Sequence, residues 1–253
     1  MTKFSRFDDA MPCWVDIVVG SNEEHEASRA FLSALFDWTW QLGEPEMGSY
    51  ALAMTQDLPV LGLSIMDGFH GATTPYFSAS NIDDAIARAT DGGATVVMPR
   101  MDVLDLGSMA ILVDPVGASF GIWQPGTFHG FGVMHEVNAP GWFEETSEDP
   151  DRATEFYLKW SGHQLASAGE GMTVLTNGDS WYADLAKVDG EPARWMPIYV
   201  VDSLARARDV VTRHGGAILV EEMPVPGSAI CVFTEPVNGT TMTVMSAGEQ
   251  PEG

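Results

Sequence analysis

Two acidic residues lie where a carboxylate could take part in chemistry. Asp16 follows Trp14 by two positions, and Glu144 follows Trp142 in the same way, each in a short apolar stretch typical of a β-strand. Alternate residues of a strand point to one face, so each carboxylate shares a face with its tryptophan. Such carboxylates could pair with buried donors, act as acid and base, or bind a metal ion. An apolar setting would raise their pKa, which suits a general base.

The remaining reactive side chains add one further candidate. His70 lies in the loop Asp67–Gly71 and could act as a general acid or base, although a solvated loop histidine is the simpler interpretation. Cys13 and Cys231 belong to no CxxC or CxxH spacing, so the sequence predicts buried thiols and no zinc site. The sequence contains no nucleophile elbow, phosphate-binding loop or dinucleotide-binding fingerprint.

The composition excludes several classes of partner. The chain has 36 acidic and 12 basic residues, a formal net charge of −24, and such a balance argues against nucleic acid and anionic membrane surfaces. A hydrophobic fraction of 45% is ample for a packed core, and no apolar run is long enough to span a bilayer. Without a signal-peptide pattern, we expect a cytoplasmic protein that is a monomer or a homodimer.

The two halves of the chain repeat the same landmarks in the same order. These are a tryptophan-containing strand, a helix with an apolar stripe, a second helix ending in Gly-Gly, and a closing hairpin: Trp14 and Trp142, Phe31 and Phe156, Gly92-Gly93 and Gly215-Gly216, Asp114–Gly117 and Glu235–Gly239. The repeat predicts a first module over residues 1–125, a linker over 126–137 and a second module over 138–253.

This order resembles the vicinal-oxygen-chelate superfamily of glyoxalases, bleomycin-resistance proteins and dioxygenases over residues 12–246. It looks most like the two-module, hydroxylase-like branch found in actinobacteria. The resemblance implies an α+β protein whose two tandem βαβββ modules form cupped, open mixed sheets around a cavity. Because the superfamily includes isomerases, lyases, oxygenases and metal-free drug-binding proteins, the resemblance leaves the chemistry open.

The resemblance also implies where metal ligands would lie. Metal-using members place a His or Gln on the first strand, a His before the second helix and a Glu on the last strand. These positions correspond to Trp14, Thr74 and Gly121 in the first module and to Trp142, Met196 and Thr243 in the second. None is a His, Asp or Glu, so we expect no ancestral metal site and no cofactor.

The predicted lining of the cups is apolar and aromatic. Its candidate ligand-binding residues are Trp14, Thr74, Tyr76, Trp123, Trp142 and Met196. This composition is typical of a small-molecule pocket, although a cup filled by its own side chains would look the same. We expect the working cavity in the first module, where Tyr76, His70 and Trp123 come together.

The leading hypothesis is a metal-independent protein that binds a planar, hydrophobic or aromatic small molecule resembling a natural product. It would either transform this molecule by proton transfer from Asp16 or Glu144, or sequester it. A metal-dependent dioxygenase, hydroxylase or lyase using Asp16, Glu144 and His70 is one alternative. A drug-binding resistance protein without activity is another, so whether the chain is an enzyme stays open.

Overall fold

The computed structural model describes residues 6–43, 49–67, 71–169 and 172–248. Module one contains β1 (Pro12–Val19), α1 (Asn22–Phe36), β2 (Thr39–Leu42), β3 (Ala51–Thr55), β4 (Leu58–Ile65), β5 (Ala72–Ser78), α2 (Ile82–Asp91), β6 (Thr95–Val103), β7 (Gly107–Val113) and β8 (Ser119–Pro125). Module two contains β9 (Pro140–Ser147), α3 (Pro150–Ser161), β10 (Gln164–Gly169), β11 (Met172–Asn177), β12 (Ser180–Lys187), β13 (Arg194–Val201), α4 (Leu204–Arg213), β14 (Ala217–Val225), β15 (Ser228–Thr234) and β16 (Thr241–Ser246). The predicted tandem α+β organisation is confirmed, and each module is itself a pair of βαβββ units.

The two sheets have the same strand order. Module one runs β2-β3-β4-β1-β5-β8-β7-β6, and module two runs β10-β11-β12-β9-β13-β16-β15-β14. In each sheet the first strands of the two βαβββ units pair antiparallel with each other at the centre. Each of these strands also pairs parallel with the last strand of its own unit. The first strand of every unit is therefore central, which places β1 and β9 in the middle of their sheets.

The helices begin at the polar residues that the sequence predicts as caps. Ser21 accepts a hydrogen bond from the backbone N–H of Glu24 at the start of α1, and Asn81 accepts from Asp83 and Asp84 at the start of α2. Each bond satisfies a backbone donor that the first helical turn leaves unpaired. The second module uses Asp149 and Ser203 in the same way.

The main core lies between the two sheets, where helices of one module contact strands of the other. Phe31 of α1 packs 6.3 Å from Phe233 of β15, and Tyr157 of α3 packs 6.2 Å from Phe77 of β5, between ring centroids. Alternation along β1 directs Cys13, Val15, Ile17 and Val19, all fully or almost fully buried, towards this helical layer. The opposite, concave faces of the sheets therefore point away from the shared core, and we call them cup one and cup two.

The linker is packed rather than extended through solvent. Phe131 is 1% exposed, and its backbone N–H donates to the carbonyl oxygen of Cys13 over 2.8 Å. Gly132 makes a similar bond, of 2.8 Å, to the carbonyl oxygen of Pro59. Within the described ranges, no helix combines the length and apolar character that crossing a membrane requires.

Candidate functional site

The strand register shows which residues share a row across each cup. In cup one, Trp14 is the Cα partner of Tyr76, and Tyr76 is the partner of Gly121. In cup two the corresponding row consists of Trp142, Ile198 and Thr243. Directly paired residues lie on the same face of a sheet, so each row spans the floor of a cup.

The strand register corrects the residues that we assigned, by counting back from the helices, to the metal-ligand position before the second helix of each module. Tyr76 and Ile198 occupy it, whereas Thr74 and Met196 lie two residues earlier in their strands, opposite Asp16 and Glu144 respectively. Counting fails here because the length of the connection between the strand and the helix cannot be read from sequence.

Asp16 is held by buried hydrogen-bond donors. The hydroxyl of Tyr50 donates to Asp16 Oδ1 over 2.6 Å, and the indole N–H of Trp14 lies 3.0 Å from the same oxygen. Burial raises the pKa of Asp16, while the bonds from Tyr50 and Trp14 lower it in part. Gly62, the Cα partner of Asp16 on β4, leaves the space for this arrangement, because a methyl group there would lie 2.0 Å from the Tyr50 hydroxyl.

Cup one is filled by its own aromatic side chains. The Trp14 ring lies 4.8 Å from Phe128 and 5.3 Å from Phe131, both from the linker, and Trp123 donates its indole N–H to the carbonyl oxygen of Phe128. Trp14, Tyr76 and Trp123 are each less than 10% exposed. The interpretation of these side chains as the lining of an open cavity therefore fits this part of cup one poorly. His70 lies outside the described residues.

Cup two contains an open cavity of about 160 Å³. Its apolar wall is formed mainly by Trp142, Met172, Val174, Trp181, Ile198 and Met245. Two carboxyl groups, Glu144 and Asp184, also line it. Trp181 is 47% exposed, so the opening of the cavity has an aromatic edge in contact with solvent. The cavity that the described residues outline therefore lies in module two, whereas we expected the working cavity in module one.

The two carboxyl groups of cup two are immediate neighbours. Glu144 on β9 and Asp184 on β12 are Cα partners in a parallel pair, and Trp142 donates its indole N–H to Asp184 Oδ1 over 2.5 Å. Burial raises the pKa of Glu144 to about 7, the charge of Asp184 adds to this rise, and Arg194 opposes it. Burial also raises the pKa of Asp184, which the bond from Trp142 partly offsets. Two such carboxyls in one apolar site do not readily ionise together, so Glu144 keeps its proton to a higher pH than a carboxyl in water does.

The modules differ at the positions around their carboxylates. Asp184 stands where module one has Gly62, since each is the Cα partner of the acidic residue on the central strand. Met172 likewise replaces Tyr50. Met172 lies two positions before Val174, which pairs with Asp184, and Tyr50 lies two positions before Leu52, which pairs with Gly62. Module one thus pairs its carboxylate with a phenol, whereas module two gives it a second carboxyl and an apolar wall.

The role of Asp184 escaped the sequence analysis, although a signal for it was present. Asp184 interrupts the apolar strand residues Tyr182, Ala183 and Leu185. An acidic residue within such a strand is unusual, because a buried carboxyl must be paired or protonated. The missing step was the pairing of β9 with β12, which only the register supplies.

Several known proteins are similar to this chain. The protein CFP32 of Mycobacterium tuberculosis, named as a glyoxylase, is 26% identical over 265 residues, which cover 99% of this chain and all of CFP32. The anthracycline biosynthesis protein DnrV of Streptomyces peucetius is 28% identical over 248 residues, or 88% of each chain. No family model matches the sequence.

Solved structures share the fold across nearly the whole chain. The Mn(II)-bound glyoxalase of Novosphingobium aromaticivorans superposes with a TM-score of 0.68 at 16% identity, covering 95% of this chain and 83% of that one. The 2,3-dioxygenase LapB of Pseudomonas sp. KL28 gives a TM-score of 0.65 at 13% identity, covering 98% and 95%. The chain has the two-module fold of these proteins, in agreement with its resemblance to the vicinal-oxygen-chelate superfamily. As solved structures, these neighbours establish its fold alone.

The described residues at the positions that correspond to the superfamily's metal ligands do not fit a divalent metal ion. The rows across the two cups offer indole rings, a phenol, an aliphatic side chain and a threonine hydroxyl, which are poor ligands for divalent metals. Glu144 and Asp184 supply only two carboxyls. In the part of the chain that the structure describes, no group of three or more His, Cys, Asp or Glu residues could hold a metal ion.

Proposed function

We propose that cup two binds a planar, hydrophobic small molecule and that Glu144 transfers a proton on it without a metal ion. The observation that carries this proposal is the Glu144–Asp184 pair inside an apolar, aromatic cavity. Arg194 offsets only part of the rise in the pKa of Glu144, so the buried carboxyl pair gains little for stability, because desolvation opposes ionisation of both groups. Perturbed carboxyls in a cavity are characteristic of acid–base sites.

The size of the cavity indicates how a ligand enters. A volume of about 160 Å³ is close to the roughly 150 Å³ of an apolar cavity that holds benzene. One six-membered ring therefore fits inside, and the rest of a larger molecule would lie across the opening beside Trp181. The similarity to DnrV, which is named for anthracycline biosynthesis, supports a planar aromatic substrate from natural-product metabolism.

The proton-transfer step follows from the protonation state of Glu144. With a pKa of about 7, Glu144 is present in both forms at neutral pH, as an efficient general base should be. Ionised Glu144 would remove a proton from an acidic C–H group of the ligand, leaving an enolate. Returning the proton at another atom would complete an isomerisation with no other reactant. Asp184 is a positioning residue that sets the pKa of Glu144.

Anthrone is a suitable probe, because it is a planar ketone with an acidic methylene group. We expect the protein to bind anthrone, seen as quenching of tryptophan fluorescence, and to accelerate exchange of its methylene protons for deuterium, measured by NMR. Glu144→Gln should abolish the acceleration while binding persists. Asp16→Asn is the matched control in cup one and should retain activity. Binding without any acceleration would indicate sequestration, and absence of binding would refute the proposal.

A further inference from the structure

Beyond Glu144, the next row of cup two contains two polar groups without partners. Thr146 of β9 and Arg194 of β13 are Cα partners in the antiparallel pair, so they share a face. Thr146 also shares this face with Trp142 and Glu144, which line the cavity. Thr146 is 3% exposed, and neither its hydroxyl oxygen nor the buried Nε of Arg194 has a hydrogen-bond partner among the described residues.

The rest of the Arg194 side chain is accounted for. Its Nη1 donates to Glu191 Oε2 over 3.3 Å at the edge of the cup, where both side chains are partly exposed. This ion pair leaves the Nε–H unused in the interior. A buried donor without a partner is energetically costly, so a bound group that accepts a hydrogen bond here would be favoured.

We propose that Thr146 and Arg194 form an oxyanion subsite that binds the carbonyl oxygen of the substrate. This proposal rests on the proposed function and specifies its substrate class, a planar ketone or phenol that becomes an enolate or phenolate. When Glu144 removes the proton, the C–H bond breaks, its electron pair moves to the carbonyl oxygen, and the proton stays on Glu144. The negative charge then lies beside the guanidinium and the hydroxyl, which stabilise it as donors to a developing oxyanion.

The spacing and the charges of the cup are consistent with this division of roles. Residues two apart on a strand lie about 7 Å from each other, so Glu144 and Thr146 can address neighbouring atoms of one ring system. The charged groups that face Glu144 are Asp184 from β12 and Arg194 from β13. Glu145 lies on the opposite face of β9 and Glu191 is paired with Arg194. Arg194 is therefore the cation available to a ligand oxyanion at this end of the cup.

Para-nitrophenol tests the subsite, because it has one ring and its absorbance distinguishes phenol from phenolate. Titrated across pH, wild-type protein should bind the phenolate and lower the apparent pKa of the bound phenol. Thr146→Val and Arg194→Met should each weaken phenolate binding by about tenfold, equivalent to about 1.4 kcal/mol. Glu144→Gln should strengthen it, since one negative charge is removed.

Controls separate this role from a structural one. Arg194→Lys keeps the charge and should retain part of the phenolate preference, whereas Arg100→Met, at an exposed ion pair of module one, should change nothing. Circular dichroism of each variant checks the fold. Binding of neutral phenol only, or a preference that survives both Thr146→Val and Arg194→Met, would overturn the subsite and leave the proposed function standing. If wild-type protein bound neither nitrophenol nor anthrone, both proposals would fail.

Discussion

Glu144 and Asp184 are directly paired residues on neighbouring parallel strands, and their carboxyl groups face the same apolar cavity. In module one the corresponding residues are Asp16 and Gly62. Two differences between the repeats, Asp184 in place of Gly62 and Met172 in place of Tyr50, thus separate a carboxylate held by a phenol from a pair of neighbouring carboxyls. Among the described residues, linker rings pack into cup one, whereas cup two contains a cavity.

The first prediction concerns the pH dependence of proton exchange. Glu144 acts as a base only when ionised, so the exchange rate of anthrone should rise as pH increases through about 7. Because the charge of Asp184 raises the pKa of Glu144, Asp184→Asn should move this rise to lower pH. NMR-detected exchange across a pH series measures both curves. An inflection that does not move in Asp184→Asn would contradict the assigned role of Asp184.

The second prediction concerns stability and Glu145. This side chain is fully buried, one of its oxygens has no partner, and burial together with Asp114 raises its pKa to about 8. Glu145 therefore keeps its proton in the folded state up to about pH 8, whereas the unfolded chain releases it from about pH 4.5 upward. The stabilisation that this proton provides is complete below about pH 4.5 and is lost as the pH rises to about 8. The loss should be about 5 kcal/mol in the free energy of unfolding.

Glu145→Gln should flatten this dependence, because a neutral amide has no proton to lose. Urea unfolding at a series of pH values from mildly acidic to mildly alkaline gives the measurement. The matched control is Glu155→Gln on α3, an exposed acid that should leave the wild-type slope unchanged. An equal slope in Glu145→Gln and wild type would mean that Glu145 ionises freely in the folded protein.

The third prediction concerns the packing of cup one. Phe131→Ala removes a ring that is 1% exposed and lies 5.3 Å from Trp14, so it should lower the free energy of unfolding. A loss of about 3–5 kcal/mol is typical of such a cavity. His129→Ala, an exposed position in the same linker, is the control and should have little effect. Anthrone binding in cup two should survive Phe131→Ala under conditions where the variant is folded.

The fourth prediction concerns metal ions. Protein purified without a metal-affinity tag and dialysed against a chelator should keep its thermal stability, anthrone binding and exchange activity. Elemental mass spectrometry should then detect much less than one equivalent of iron, manganese or zinc per chain. One equivalent of metal together with activity lost on chelation would support the metal-dependent alternative, and Glu144, Asp184 and His70 would become candidate ligands.

Much of the fold could be predicted from the sequence, because its signals are local and repeated. Ser21 and Asn81 as helix caps and the duplicated Trp-x-acid strands at Trp14 and Trp142 all depend on residues close in the chain. Alternation predicts Asp16 and Glu144 on the faces of Trp14 and Trp142, and Glu144 lines the cavity of cup two. The doubling of βαβββ units within each module was not evident, because the first strand of each second unit, such as β5, pairs with strands distant in sequence.

The sequence by itself determined the duplication and the fold class, because both depend on local patterns that recur along the chain. Only the tertiary structure decided which cup is open, because that depends on where the side chains of Phe128 and Phe131 pack after the chain has passed between the modules. It likewise brought Asp184 beside Glu144, which lies 40 positions earlier in the sequence. Pairing between strands so far apart is set by the register of the whole sheet, and no local pattern of residues encodes it.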